Sequence, residues 1–217
     1  IAGSICLILF FKRQNKLELV WYIGAFVFIF VWFTQIHPLV IFDVDDWTYI
    51  SGARRAVPVW GGWNPSRVLP EILMPFCSRV AVYVLKPIIG DFITALTVMN
   101  AIVAGIFITG YVWSFGNLVK RAFSLSSGCT IFASALFLTF HFLVFRYQEF
   151  NNSYLFYCHD VTCYYNYLFP SLLNASLVMY LMHNDQFETF IANGSMVKKG
   201  AFILVVYLES TPQQKKH

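Results

Sequence analysis

Residues 92–115 read FITALTVMNAIVAGIFITGYVWSF, a run of 24 positions without an Asp, Glu, Lys or Arg. A helix needs about 20 apolar residues to cross the hydrocarbon core of a bilayer, so this stretch predicts a membrane-spanning helix. The chain as a whole agrees, because 58% of its 217 residues are hydrophobic and only 12% are charged. Soluble domains carry about 25% charged residues. The composition therefore excludes an ordinary soluble domain, a disordered chain and a basic nucleic-acid-binding module.

The hydropathy pattern predicts an all-α, polytopic transmembrane helix bundle with about four spans. Four apolar runs are long enough, or nearly long enough, to cross: 19–36, 92–115, 129–145 and the more polar 165–182. The last run contains Asn and Pro, which membrane helices tolerate where neighbouring helices pack around them. Shorter apolar runs at 1–11 and 201–208 predict partial spans. We therefore expect one membrane domain over 1–217 that is a fragment of a larger protein.

Basic residues between the spans predict the orientation, because short loops rich in Lys and Arg tend to stay cytoplasmic. Three basic groups alternate along the chain: Lys12, Arg13 and Lys16; Lys120 and Arg121; Lys198 and Lys199. Placing them inside predicts two outer loops, 37–91 and 146–164. This topology requires the apolar stretch 69–89 not to cross. Its three prolines and three charged residues favour interfacial or re-entrant helices, whereas a crossing would put Lys120 and Arg121 outside.

The first outer loop, 37–91, concentrates charged groups of both signs. Its candidate catalytic carboxylates are Asp43, Asp45 and Asp46. Its candidate phosphate-binding groups are Arg54, Arg55, Arg67, Arg79 and Lys86. Guanidinium groups form bidentate, charge-assisted hydrogen bonds to phosphate oxygens. An ionised carboxylate can remove a proton from an acceptor hydroxyl while basic groups stabilise a departing phosphate. The loop therefore predicts a group-transfer site at the membrane surface.

The same carboxylates also fit a purely structural interpretation. Asp43 would be the N-cap of a helix reaching Ala56, with Val44 at N1 and Asp45 and Asp46 at N2 and N3. Acidic residues in the first turn complement the helix dipole by about 0.3–1 kcal/mol each. The two interpretations are compatible, because a carboxylate in a first turn can still face a substrate.

The order of these residues resembles the GT-C superfamily of membrane glycosyltransferases. An apolar span followed by Asp45-Asp46-Trp47, then Arg54-Arg55 and Asn64-Pro65-Ser66-Arg67, is most similar to bacterial and phage-type serotype-converting O-antigen glucosyltransferases. The resemblance implies sugar transfer from a polyprenyl-phosphate donor to a cell-surface glycan or lipid-linked acceptor, on the outer face of a bacterial inner membrane. It implies that Asp45 or Asp46 is the base or orients the donor, with Arg54, Arg55 and Arg67 on the donor phosphate. It leaves a divalent metal, Mg or Mn, open.

The second outer loop contains the run Cys158-His159-Asp160-Val161-Thr162-Cys163. We expect His159 and Asp160, together with Glu71 of the first loop, to line the same outer cavity. A metal site is a weaker interpretation, because the spacing fits no standard zinc pattern. A disulfide between Cys158 and Cys163 is another alternative on an oxidising face.

Two other functional classes are compatible with the composition. A transporter or flippase of lipid-linked sugars would also use outer arginines and intramembrane Asn, but it should carry ionisable groups near the middle of its spans. A structural membrane subunit would need neither the carboxylate group nor the five basic groups of 37–91. The clustering of charge in loops favours the enzyme.

Overall fold

A computed structural model describes residues 15–50, 69–143, 155–158 and 160–183. These residues are largely helical and contain no strand, which confirms the predicted all-α class. They form six helices: α1 (Lys16–Ile36), α2 (Val44–Ile50), α3 (Leu69–Ile89), α4 (Phe92–Ala122), α5 (Ser127–Leu143) and α6 (residues 161–183), besides a 3-10 turn at Leu155–Tyr157. Helices thus occur at all four runs that hydropathy selected.

Three of these helices, α1, α3 and α4, are long and apolar enough to cross a membrane. Helix α5 is apolar but shorter, with 17 residues. The longest, α4, extends to Ala122, seven residues beyond the predicted end at Phe115 (122 − 115). Its last turns carry Lys120 and Arg121, which hydropathy alone assigns to a loop.

Helix α3 is continuous although it contains three prolines. Pro75 and Pro87 lie in the first turn of the segments Met74–Val80 and Lys86–Ile89. The π-helical turns Leu69–Leu73 and Ala81–Leu85 precede these two segments. Widened turns of this kind let a helix continue past a proline. The prolines therefore shape the helix without dividing it.

Contacts identify the two ends of the bundle. At one end, Asn15 Nδ2 donates to Ser127 Oγ at 3.0 Å and Lys120 Nζ donates to Glu18 Oε1 at 2.5 Å. This end contains the link between α4 and α5, and we call it the hairpin end. At the other end Asp46 accepts hydrogen bonds from Thr162. We call this the site end.

The helices alternate in direction between these ends. Helix α5 leaves the hairpin end at Ser127, and its Phe142 packs on Trp32 near the end of α1, with ring centroids 4.9 Å apart. Helix α6 starts at the site end, and its His183 Nδ1 lies 3.2 Å from the Asn117 carbonyl oxygen, five residues before the end of α4 (122 − 117). Helices α1 and α5 therefore run towards the site end, and α4 and α6 run away from it.

Both ends of α3 lie at the site end despite its length. Its first turn, Leu69–Leu73, contacts the first turns of α6, and its Met74–Val80 segment contacts α2. At its other end, Lys86 Nζ lies 6.0 Å from the centre of the Phe92 ring, where α4 begins. Helix α3 therefore starts and finishes beside the same end of the bundle.

Glycines allow α4 to approach its neighbours closely. A Cβ atom at Gly105 would lie 2.7 Å from the Phe26 ring of α1, and one at Gly116 would lie 2.7 Å from Ser134 Oγ of α5. Ala101 and Ala104 on the same side of α4 are fully buried, which agrees with a close helix contact there. Stacked rings of Phe107 and Phe169, 4.5 Å apart, join α4 to α6.

Candidate functional site

The segment between α1 and α2 fixes the position of the candidate carboxylates. Leu39, Ile41 and Tyr49 are buried in the core, and Trp47 stacks on Phe92 with ring centroids 6.4 Å apart. Helix α2 begins at Val44, as the sequence predicts. The first backbone hydrogen bond of this helix is donated by the Trp47 N–H to the Asp43 carbonyl oxygen at 3.1 Å. A short helix of seven residues is thus held against α3, α4 and α6 at the site end.

Asp46 is fully buried and connects α2 to α6. Its Oδ1 accepts hydrogen bonds from the Thr162 backbone N–H at 2.8 Å and from Thr162 Oγ1 at 2.7 Å. Its Oδ2 accepts from the Phe42 N–H at 3.3 Å. Three donors converge on a carboxylate with 0% exposure, so its role in this structure is to hold two distant parts of the chain together.

Burial raises the pKa of the Asp46 carboxyl because it disfavours the charged form. The two hydrogen bonds from Thr162 act in the opposite direction, and the nearby charge of Asp160 adds to the increase. A buried carboxylate beside a second carboxylate is costly to ionise, so Asp46 binds its proton more tightly than an exposed aspartate does.

Asp43 and Asp45 differ from Asp46 because both are exposed. Asp45 lies in the first turn of α2 beside the buried Asp46. The family resemblance implies a catalytic role for Asp45 or Asp46 without choosing between them. In the described structure only Asp45 of this pair can meet a substrate without rearrangement.

The basic candidates lie in two groups. Arg79 and Lys86 are exposed on α3, whose Met74–Val80 segment contacts α2, so both belong to the site end. Arg54, Arg55 and Arg67 lie outside the described residues. Glu71, predicted to line the cavity, is buried in the first turn of α3.

Asp160 caps the N-terminus of α6. Its Oδ1 accepts from the Cys163 backbone N–H at 3.3 Å, and its Oδ2 accepts from the Cys163 thiol at 3.0 Å. It is half-buried, and its charge acts on the buried Asp46. His159 is not among the described residues. Within the described ranges, no three His, Cys, Asp or Glu side chains come together in a group that could hold a metal.

An aromatic cluster at the site end was not predicted to be functional. Trp32 Nε1 donates to the Phe156 carbonyl at 3.4 Å, and the Trp32 ring meets Tyr157 edge to face at 5.6 Å. His37 Nε2 lies 3.2 Å from the Cys158 carbonyl oxygen. These contacts join positions more than 120 residues apart, and no sequence signal pairs them. They attach the second outer segment to the end of α1.

Trp32 and Tyr157 of the aromatic cluster also line a cleft between α1 and α5. The cleft has a volume of about 440 Å³. Trp21, Gly24 and Phe28 of α1 line one wall, and residues of α5 including Leu138 and Phe142 line the other. Its lining is dominated by apolar side chains, so it suits a hydrocarbon chain better than a polar ligand.

No protein-family model, curated protein or solved structure matches this chain. The class that the described residues define is an all-α protein with three helices long and apolar enough to cross a membrane.

Proposed function

We propose that this chain is a membrane glycosyltransferase that transfers a sugar from a polyprenyl-phosphate donor to a glycan or lipid-linked acceptor. The observation that carries the proposal is that the two neighbouring carboxylates differ in their exposure to solvent. Asp46 is buried and bonded to α6, while its neighbour Asp45 is exposed on the same short helix. A carboxylate on an anchored helix is held in a fixed position, which a general base requires.

In the proposed topology, four helices cross the bilayer and α3 lies along its outer surface. Helices α1, α4, α5 and α6 alternate in direction, and both ends of α3 lie at the site end. Lys16, Lys120 and Arg121 lie at the opposite, hairpin end, which the positive-inside rule assigns to the cytoplasm. The site end then faces outward from a bacterial inner membrane.

In the proposed reaction, the ionised Asp45 carboxylate accepts the proton of an acceptor hydroxyl. The hydroxyl oxygen forms the new glycosidic bond, and the bond between the sugar and the donor phosphate breaks. Arg79 and Lys86, exposed on the neighbouring α3, would stabilise the phosphate that leaves with its polyprenyl chain. Arg54, Arg55 and Arg67 would add to this positive charge. No step requires a divalent metal.

The cleft between α1 and α5 is suited to the hydrocarbon chain of the donor. It lies between two helices that we propose cross the bilayer, and Tyr157 is one of its lining residues. Tyr157 precedes Cys158 and Asp160, and Asp160 interacts with Asp46. The cleft and the carboxylates are therefore linked through one short segment at the site end.

A sugar-transfer assay on membranes containing the protein tests the proposal. The substrates are a radiolabelled polyprenyl-phosphate sugar and the acceptor glycan. Asp45→Asn should lower kcat by about 10²–10⁴-fold, the usual range for loss of a general base. Asp91→Asn is the matched control, because Asp91 is also exposed at the site end, as the N-cap of α4, and Asn retains that cap. Full activity of the Asp45→Asn variant would refute the catalytic assignment.

Cysteine labelling tests the topology independently of activity. In a variant without native cysteines, Val44→Cys at the site end should react with a membrane-impermeant maleimide added to intact cells. Ser124→Cys at the hairpin end should react only after the membrane is opened. Both native side chains are exposed. Equal labelling of the two sites in intact cells would contradict the proposed topology.

The rival function is a transporter of lipid-linked sugars, and the position of ionisable groups distinguishes the two. The described ion pair Glu18–Lys120 lies at the hairpin end of α1 and α4, not near the middle of the bundle. A transporter is expected to place such groups along a path across the membrane. Movement of labelled donor across vesicles without any transfer product would favour the transporter.

A further inference from the structure

Two cysteines flank the capping residue Asp160 and contact it from both sides. The Cys163 thiol donates to Asp160 Oδ2 at 3.0 Å, and the Cys158 thiol donates to the Asp160 carbonyl oxygen at 3.7 Å. Both are free thiols in this structure, and both are half-buried. Neither is shielded in the way that the buried Cys77 is.

We propose that Cys158 and Cys163 are a redox-active dithiol that converts reversibly to a disulfide. The bond would close a loop of six residues around Asp160, at the N-terminus of α6. Asp160 holds the two thiols in the same small region, because it accepts a hydrogen bond from each of them and caps the helix to which Cys163 belongs. The inference does not depend on the proposed glycosyltransferase activity.

The oxidant would be a disulfide of low molecular mass, such as oxidised glutathione. The Cys158 thiolate attacks one sulfur of the oxidant, forms a mixed disulfide and releases one thiol. Cys163 then attacks the Cys158 sulfur and releases the second thiol. The two cysteine protons end on the two released thiols, so two cysteines are oxidised and one disulfide is reduced. Cys158 attacks first, because the Asp160 carboxylate that accepts the Cys163 S–H opposes ionisation of that thiol.

Oxidation would change the contacts around the candidate site. The Asp160 carboxylate would lose the Cys163 S–H donor, and Thr162, which binds Asp46, would lie inside the closed loop. The disulfide would also link Cys158, whose carbonyl contacts His37, covalently to Cys163 in the first turn of α6. The redox state of the pair is thus linked to the segments that hold α2 in place.

Counting thiols tests the proposal. The protein is equilibrated in its membrane with oxidised glutathione or with dithiothreitol, quenched with acid, denatured and labelled with a maleimide-polyethylene glycol. The chain has five cysteines, so we expect five labels after reduction and three after oxidation (5 − 2). Cys158→Ser and Cys163→Ser variants should each give four labels under both conditions (5 − 1).

A second measurement on the wild-type protein does not depend on variants that fold. No Lys or Arg lies between the two cysteines, so trypsin leaves both on one peptide. That peptide should be two hydrogen atoms lighter after oxidation. Five labels under both conditions would overturn the proposal. So would a decrease of two labels that persists in either serine variant, since another pair of cysteines would then be responsible.

Discussion

Replacing Asp46 by alanine should destabilise the bundle strongly, although Asp46 is one of three neighbouring aspartates. The substitution removes an acceptor that binds three donors, the Phe42 N–H and the N–H and hydroxyl of Thr162. The Thr162 N–H is buried, and leaving such a donor without a partner costs about 1–3 kcal/mol. With the other two bonds lost, we expect a decrease of about 2–4 kcal/mol in the free energy of unfolding.

Asp46→Asn separates the contributions of the two carboxylate oxygens. The amide oxygen can still accept both bonds from Thr162, but the amide nitrogen then faces the Phe42 N–H, and two donors cannot bond. That contact is only partly buried, so the expected loss is about 1 kcal/mol. The order of stability should be wild type, then Asp46→Asn, then Asp46→Ala.

The difference between wild type and Asp46→Asn should depend on pH. The pKa of Asp46 is raised by burial, so the folded state binds this proton more tightly than the unfolded state does. The resulting stabilisation is fully present below the unfolded pKa and is lost as the pH rises through the folded pKa. Asn does not titrate, so the wild type should have its largest advantage at acidic pH, and the advantage should shrink as the pH rises.

Thermal unfolding of the purified protein in lipid nanodiscs, followed by near-ultraviolet circular dichroism at several pH values, measures these effects. For a chain of this size, about 1 kcal/mol shifts Tm by roughly 2–4 °C. Asp45→Ala is the matched control, because Asp45 is exposed, and we expect a change within about 0.5 kcal/mol. Equal Tm values for Asp46→Ala and Asp45→Ala would refute the structural role of Asp46.

Three further predictions concern the helix contacts and the cleft. Gly116→Ala should lower the free energy of unfolding by about 1–3 kcal/mol, because the new Cβ would collide with Tyr22 and Ser134. In the same unfolding assay the control Gly110→Ala should be neutral or stabilising, because its new Cβ meets no atom within 4 Å. Lys120→Met should lower the free energy of unfolding by about 1–3 kcal/mol, since it removes the cation beside the buried Glu18. Adding Glu18→Gln should restore part of this loss, and no recovery would contradict a stabilising role of the ion pair. Gly24→Leu should narrow the cleft and raise KM about tenfold for a long-chain polyprenyl donor but not for a short-chain analogue. Equal KM changes for both donors would argue against the cleft as the binding site of the polyprenyl chain.

Hydropathy predicts helices well in this chain because the apolar runs have the length that a helix needs to cross a bilayer. It fails at their ends, where neighbouring helices decide the outcome. Helix α4 continues to Ala122, and in these added turns Lys120 pairs with Glu18 of α1, 102 positions away. The three prolines and three charges of 69–89 favour interfacial or re-entrant helices, and the structure has one continuous helix there, because π-helical turns connect its segments. Whether α3 is interfacial stays a prediction.

The candidate site was only partly predictable for a related reason. The sequence selected Asp43, Asp45 and Asp46 as a group, and periodicity within α2 could not show which of them is buried. That property depends on Thr162, which lies 116 residues further along the chain. The sequence predicts that the second outer loop, 146–164, lies near the first, 37–91. Its attachment to Trp32 and His37 uses backbone carbonyls and carries no sequence signature, because any residue supplies a carbonyl.

The roles proposed for Asp45 and Asp46 depend on each other physically. A general base is useful only if its carboxylate is held within a fraction of an ångström of the reacting hydroxyl, and Asp45 lies in the first turn of α2. The buried bonds of Asp46 to Thr162 supply that rigidity by joining α2 to α6. Loss of activity in an Asp46 variant would therefore not identify Asp46 as the base. The two residues are distinguished by stability, because a change at Asp46 should lower activity and Tm together, whereas a change at Asp45 should lower activity alone.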